Sequence, residues 1–168
     1  ITDYDGADVK RVTVSRSLNT TPAWSPDGRS IGYTSWLSGF PEVIISYLFE
    51  GRMTRPADGN ASDHNFLPAF SPDGQQIAFM SNRDGNPDLY VVNVDGTEMR
   101  RLTNHPMIDT SPTWSPNGLQ IAFTPARTGP PQTFVIAPDG PGLPRLPHRT
   151  DCDPPPLSTP PHPQRPPS

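Results

Sequence analysis

Apolar residues in this chain come in short runs, and the runs come in pairs. The first runs are Ile31-Gly32-Tyr33-Thr34-Ser35, Ile77-Ala78-Phe79-Met80-Ser81 and Ile121-Ala122-Phe123-Thr124. Each is followed by a second run: Val43-Ile44-Ile45-Ser46-Tyr47, Leu89-Tyr90-Val91-Val92-Asn93 and Phe134-Val135-Ile136. Rich in Val, Ile, Tyr and Phe and bounded by Pro, Gly, Asp and Asn, these runs predict strands and are too short for helices. Ahead of each pair stands a heptapeptide that says one thing three times: Pro22-Ala23-Trp24-Ser25-Pro26-Asp27-Gly28, Pro68-Ala69-Phe70-Ser71-Pro72-Asp73-Gly74 and Pro112-Thr113-Trp114-Ser115-Pro116-Asn117-Gly118. The copies start 46 and then 44 residues apart. A fixed period in this range marks stacked supersecondary units.

Within one unit the order reads strand (Pro-x-Trp-Ser), turn, strand, turn, strand, turn, short strand, the last exemplified by Arg100-Arg101-Leu102-Thr103. Ser-Pro-Asp-Gly is a turn with a mechanism: Pro presets φ, Asp bonds to nearby backbone, and Gly accepts φ > 0. Acidic-Gly turns also recur at Asp5-Gly6, Glu50-Gly51, Asp95-Gly96 and Asp139-Gly140. Four short antiparallel strands per unit make a propeller blade. The fold class is therefore all-β, a β-propeller fragment of about three four-stranded antiparallel blades plus a half blade. Blades are expected near 20–55, 66–103 and 112–150, with a half blade at 1–13, so that 1–150 form a partial propeller. The heptapeptide strand is expected innermost, its aromatic residue (Trp24, Phe70, Trp114) packing between blades. Trp36 stands in a turn and is expected to be exposed, beside Phe40. Helical repeats would need apolar residues at three- and four-residue spacing, and none are present.

Composition changes the picture at one end. Eight of the 18 residues from Asp151 to Ser168 are Pro, which predicts a disordered, extended tail. The repeat already decays after Thr124, as a linker or a frame error would leave it, and the whole pattern suits a piece of a longer propeller. The single Cys152 excludes an internal disulfide framework. A net charge of −4 with scattered basic residues gives no nucleic-acid footprint, and no run approaches a membrane span. The recurring Asp27, Asp73, Asp95 and Asp139 read as turn formers rather than catalytic carboxylates. No nucleophile elbow and no phosphate loop occurs, so the chain is read as not an enzyme. The histidines have no metal-ligand spacing. A calcium ion held by Asp109 and nearby carbonyls is conceivable but lacks the Asp-x-Asp-x-Asp-Gly loop that would support it, so no cofactor is assigned.

From Pro68 to Thr103 the pattern Pro-x-(Trp/Phe)-Ser-Pro-Asp-Gly, Ile-Ala-Phe, Asn-Arg-Asp-Gly, Tyr-Val-Val-Asn, Asp-Gly and Arg-Arg-Leu-Thr resembles the propeller repeat of the TolB family. The opening Asp3-Tyr4-Asp5-Gly6, with Arg16-Ser17-Leu18 and the first heptapeptide, is similar to the start of that family's propeller. The resemblance implies a six-bladed propeller behind a smaller N-terminal α/β domain, of which this chain would cover about half the propeller. It implies a periplasmic protein-binding scaffold of the Tol-Pal system that docks the lipoprotein Pal at the channel mouth and supports outer-membrane integrity. Colicin-like disordered segments would enter the same mouth, and contact with TolA would run through the N-terminal domain. His64-Asn65 matches a His-Asn pair at the Pal-binding surface, and Thr110 stands at a second contact position. Thr20, Thr21, Phe66, Leu67, Asp109 and Ser111 are their neighbours or equivalents, all placed just before the inner strands; bulky Phe66 and Leu67 make the mouth narrower or more apolar. Two other readings remain open: the substrate-gating propeller of a prolyl oligopeptidase-like serine peptidase, and a generic secreted binding propeller.

Overall fold

The computed structural model describes residues 11–13, 16–60, 62–104, 109–125 and 133–140, with backbone alone at Asp109 and Pro125. The first sheet orders its strands β1(Asn19–Trp24), β2(Ser30–Ser35), β3(Glu42–Tyr47) and β4(Met53–Thr54) side by side. The second repeats this with β5(Asn65–Phe70), β6(Gln76–Ser81), β7(Asp88–Asn93) and β8(Arg100–Arg101). The third contains β9(Asp109–Trp114), β10(Ile121–Pro125) and β11(Phe134–Ile136). All pairings are antiparallel, and no helix occurs among the described residues. This is the open, partial propeller that the repeat predicts. The half blade at 1–13 lies almost wholly outside the described residues, as do the fourth strand expected by residue 150 and the proline-rich tail.

The Ser-Pro-Asp-Gly turns fold as their chemistry dictates. In the first sheet Ser25 Oγ donates to Asp27 Oδ1 at 2.6 Å and accepts from the Ser30 N–H at 2.9 Å, while Arg29 N donates to Asp27 Oδ1 at 3.0 Å. The same set recurs at Ser71, Asp73 and Gln76, and at Ser115, Asn117 and Gln120. Gly28, Gly74 and Gly118 take φ of 68°, 72° and 72°, a region where a side chain would be strained. These hydrogen bonds hold the Asp27 and Asp73 carboxyls below their ordinary range, the serine hydroxyl first and the backbone N–H second.

Two apolar seams join the three sheets. Val43 and Ile45 of the first, with Ala57 of the segment that follows it, meet Ile77, Phe79, Tyr90 and Val92 of the second, with Phe70 and Tyr47 against them. On its other face the second sheet offers Ala78, Leu89, Val91 and Leu102 to Ile121, Phe123, Phe134 and Ile136 of the third, with Trp114 alongside. Alternation along β6 and β7 explains the division, since successive side chains point to opposite faces. Phe79 and Leu89 are fully buried, and a buried side chain of this size stabilises the fold by roughly 1.5–3 kcal/mol.

The inner-strand aromatics do not behave alike. Phe70 lies across Gly32, where an added Cβ would stand 3.1 Å from the ring. Trp114 packs into the second seam and its indole N–H donates to Ala69 O at 3.1 Å. Trp24, expected between blades, is 52% exposed, because no described sheet stands on its side.

Candidate rim site

The inner strands β1, β5 and β9 begin three residues before the proline of each heptapeptide, earlier than the sequence pattern places them. The reason is a bulge. Phe66 pairs with Met80 and Ala69 with Ala78, leaving Leu67 and Pro68 together opposite Phe79. The same slip falls between Thr20 and Ala23 in the first sheet and opposite Phe123 in the third. A bulge leaves residues out of the ladder, which accommodates a proline that has no N–H to give. Thus Thr20, Thr21, Phe66, Leu67, Thr110 and Ser111, placed by the sequence just ahead of the strands, lie within their first halves.

Each bulge holds one non-glycine residue in the left-handed region: Thr21 at φ 50°, Leu67 at 56° and Ser111 at 56°. Such backbone costs free energy and is most unusual for a β-branched residue like Thr21. Surrounding contacts hold it in place. Thr34, 1% exposed, accepts from the Leu67 N–H at 3.1 Å and shares a 2.8 Å hydroxyl contact with Thr21 Oγ1. One buried hydroxyl therefore pins the bulges of two neighbouring blades. In the third sheet Thr110 Oγ1 instead donates to Thr124 O at 3.0 Å.

His64 and Asn65 take opposite roles. Asn65 is 3% exposed, donates to Ala57 O at 3.1 Å and Asp63 O at 3.2 Å, and accepts from Arg83 Nη2 at 3.1 Å. Arg83 also donates to Ser81 Oγ and lies over the rings of Phe79 and Tyr90. The Asn65 amide is thereby built into the blade entrance rather than presented to solvent. His64 is half-buried, its backbone N–H held by Asn82 Oδ1 at 2.7 Å. Its ring meets Phe66 edge-on at 6.2 Å between centroids. Phe66 in turn meets Trp36 at 6.1 Å. Trp36, expected exposed beside Phe40, is half-buried and belongs to this aromatic row. Exposed Leu37 and Leu18 flank it, and Trp36 N donates to Leu18 O at 3.1 Å.

The rim thus collects His64, Phe66, Leu67, Thr20 and Thr21 between the first two blades, with Thr110 and Ser111 at the third. The sequence reading did not join Trp36 to the others. Its signal was the departure from the repeat, an aromatic residue where the second blade has Asn82. Asp109 begins β9, with no side-chain geometry described, so the calcium suggestion lies outside the described residues; among them no group of three His, Cys, Asp or Glu side chains could hold a metal. His105, His148, His162 and Cys152 lie outside the described residues too. No described helix is long and apolar enough to cross a membrane.

Rigid antiparallel blades carrying strained, irregular backbone at one common rim define a propeller-type scaffold whose loops and strand entrances are available for recognition. Comparison with known proteins makes the class particular. A family model described as the TolB beta propeller domain matches residues 1–160, and the chain belongs to that family. The Tol-Pal system protein TolB of Anaeromyxobacter dehalogenans (strain 2CP-C) is 41% identical over 110 residues, 66% of this chain and 25% of that protein. The chain thus spans about a quarter of the length of the curated relatives it matches. Among solved structures, TolB from Acinetobacter baumannii superposes with a TM-score of 0.75 at 31% identity, over 86% of this chain and 36% of that one. A putative TolB from Agrobacterium tumefaciens gives a TM-score of 0.68 at 27% identity, over 79% of this chain and 50% of that one. A puromycin-hydrolyzing peptidase of Mycobacterium tuberculosis, at 16% identity and a TM-score of 0.67, shares the fold alone.

Proposed function

We propose that this propeller segment serves the Tol-Pal system as a periplasmic, non-enzymatic docking scaffold, and that its rim receives the lipoprotein Pal. Membership of the TolB family supports the system. The observation that carries the site is the in-phase series of bulges at Thr21, Leu67 and Ser111, which sets irregular backbone at one common rim of successive blades. On this reading His64 and Phe66 make direct contact, Thr20, Thr21, Leu67, Thr110, Ser111 and Asp109 form the surrounding surface, and Asn65 positions the His64 backbone from below. Colicin-like segments would compete for the same rim, and TolA contact would fall on a part of the longer protein outside this chain. The peptidase reading draws only on neighbours that share the fold.

Titration with the soluble domain of a cognate Pal, followed by amide NMR and calorimetry, tests this. Saturable binding that shifts His64, Phe66 and Thr110, and that weakens about tenfold or more in His64→Ala and Phe66→Ala, is the expected result. Binding indifferent to both substitutions would remove the rim assignment, and no binding at millimolar Pal would remove Pal.

A further inference from the structure

The seam between the first two blades is not closed along its whole length. At the end away from the rim, where β1 and β5 run into their Ser-Pro-Asp-Gly turns, it holds a cavity of about 410 Å³, within the range of small-ligand sites. Its apolar wall is Ile45, Tyr47, Phe70 and Val94. The repeat explains the space. β2 turns Gly32 and Thr34 toward the second blade, so alternation aims Ser30 the same way. β6 presents Ala78 to the third blade, and Gln76 with it. Ser30 pairs with Tyr47 and Gln76 with Asn93, so Ser30 and Gln76 hold the same position. Gln76 reaches across its blade, Nε2 donating to Asn93 Oδ1 at 3.2 Å, and the aromatic of that seam is Trp114. The first seam has a serine and a phenylalanine at these two places, and the cavity is the room the smaller side chains leave.

The polar groups around it are set to receive a cation. Ser30 is 6% exposed, and its N–H and carbonyl are both taken by Ser25 at 2.9 Å, while its hydroxyl makes no hydrogen bond among the described residues. A buried hydroxyl in that state is stabilised by an occupant that supplies its partner. Asp27 and Asp73 line the mouth, brought together because their turns touch: a Cβ on Gly74 would stand 3.5 Å from Pro26 Cδ. In each carboxylate Oδ1 takes the serine hydroxyl and a backbone N–H of its own turn, whereas Oδ2 makes no hydrogen bond among the described residues. Among the described residues no Lys, Arg or His lines the cavity. On the same face Arg29 lies over Phe49, and Arg52 pairs with Glu50 while lying over the ring of Tyr47. Neither is ion-paired with Asp27 or Asp73, and Arg52 shows that the Tyr47 ring accepts a guanidinium against it.

We propose that this cavity binds an organic cation, with a short apolar stem along Ile45 and Phe70 and a guanidinium or ammonium head among Asp27, Asp73 and the Ser30 hydroxyl. The stem gains by leaving water, and the head by charge-assisted hydrogen bonds to the two free carboxylate oxygens. An anion is repelled, and an uncharged stem leaves both carboxylates unanswered. A free amine and an arginine side chain of another protein offer the same chemistry, and the test separates them. The site lies at the opposite end of the inner strands from Thr20, Thr21 and Phe66, so it stands or falls apart from the rim.

Calorimetry and amide NMR on the 168-residue protein provide the test, with agmatine, the end-capped peptide Gly-Gly-Arg-Gly-Gly and uncharged n-pentanol as probes. At least one cation should saturate the site with a Kd below about 5 mM, shifting Ser30, Tyr47 and Phe70 but not Thr20 or Thr21. Tighter binding of the peptide assigns the site to an arginine of a partner protein, and tighter binding of agmatine to a free amine. The double variant Asp27→Asn, Asp73→Asn should weaken binding about tenfold. It should keep the fold, because the third turn already carries Asn117 with the same hydrogen bonds. Ser30→Gln, which places the second blade's residue in the cavity, should weaken binding about tenfold or more. The proposal is overturned by a failure of both cations to saturate by about 5 mM, by n-pentanol binding as tightly as they do, or by undiminished affinity in the double variant.

Discussion

Replacing Thr34 by Val isolates one hydroxyl at the rim without opening a cavity, because the two side chains have nearly the same shape. Thr34 is 1% exposed and its oxygen is the acceptor for the Leu67 N–H at 3.1 Å. The valine would leave that N–H without its partner inside a seam. An unsatisfied buried donor costs about 1–3 kcal/mol. The second contact, to Thr21 Oγ1 at 2.8 Å, adds little, since Thr21 is exposed and its hydroxyl can turn to water. The net expectation is therefore about 2 kcal/mol of lost stability. With a urea dependence of roughly 1–3 kcal/mol per molar for a domain of this size, the unfolding midpoint should fall by about 1 M. The control is Thr124→Val at the matching position of the third sheet, where Thr110 is met by the backbone carbonyl and not the hydroxyl. That variant should change stability by less than about 0.5 kcal/mol. Equal effects at the two positions, or no effect at Thr34, would refute the claim that this hydroxyl holds the Leu67 bulge in its left-handed conformation.

Asp88 is fully buried, paired with Arg101 and bonded to Thr103 Oγ1 at 3.2 Å; Asp88→Ala removes both contacts but leaves Arg101 with Asp84 at 3.6 Å and the Thr103 carbonyl at 2.8 Å, so it should cost about 1–3 kcal/mol, read as a lowered urea midpoint. Acid should destabilise the protein through its turns. The Asp27, Asp73 and Asp95 carboxyls titrate below 3.8 when folded, each held chiefly by a Ser or Thr hydroxyl, so their contribution is complete above the unfolded value and is lost as pH falls through the folded ones. Urea midpoints should be level with respect to these groups from about pH 5 to 7 and drop below about pH 4, less steeply in Ser71→Ala, in which the hydroxyl that lowers Asp73 is gone.

The blades were legible because their determinants are local. Alternating apolar positions and Ser-Pro-Asp-Gly turns act over four to six residues, and their repetition fixes the order of strands in every sheet. The rim was legible only as a location. A pattern of residue types does not announce that Leu67 takes positive φ, since nothing about leucine favours it; the conformation follows from a proline that cannot join the ladder and a threonine in the next blade. Asn65 shows the same limit from the other side. Family resemblance places it at a surface, while its three hydrogen bonds to Ala57, Asp63 and Arg83 bury it. Trp36 was visible as an oddity in the repeat, but its neighbour Phe66 is brought to it by the packing of one blade on another, a distance of 30 residues in sequence and 6.1 Å between rings.

Repetition of sequence also conceals a division of labour between the seams. Blade one meets blade two through a rim hydroxyl and an aromatic ring over glycine, with Thr34, Leu67, Phe70 and Gly32 as the elements. Blade two meets blade three through an indole hydrogen bond to Ala69 and has Met80 where Thr34 would be, so its bulge at Ser111 has no equivalent hydroxyl from the neighbouring blade. The first seam is therefore fixed at the rim and the second at mid-strand. Since stability in stacked repeats is approximately a sum of units and interfaces, each seam can be weakened separately. The aromatic row of Trp36, Phe66 and His64 sits on the seam whose rim is fixed, where its rings are held by two bulges tied to one buried oxygen. A binding surface gains from that placement, because side chains already ordered in the free protein lose less conformational entropy when a partner arrives.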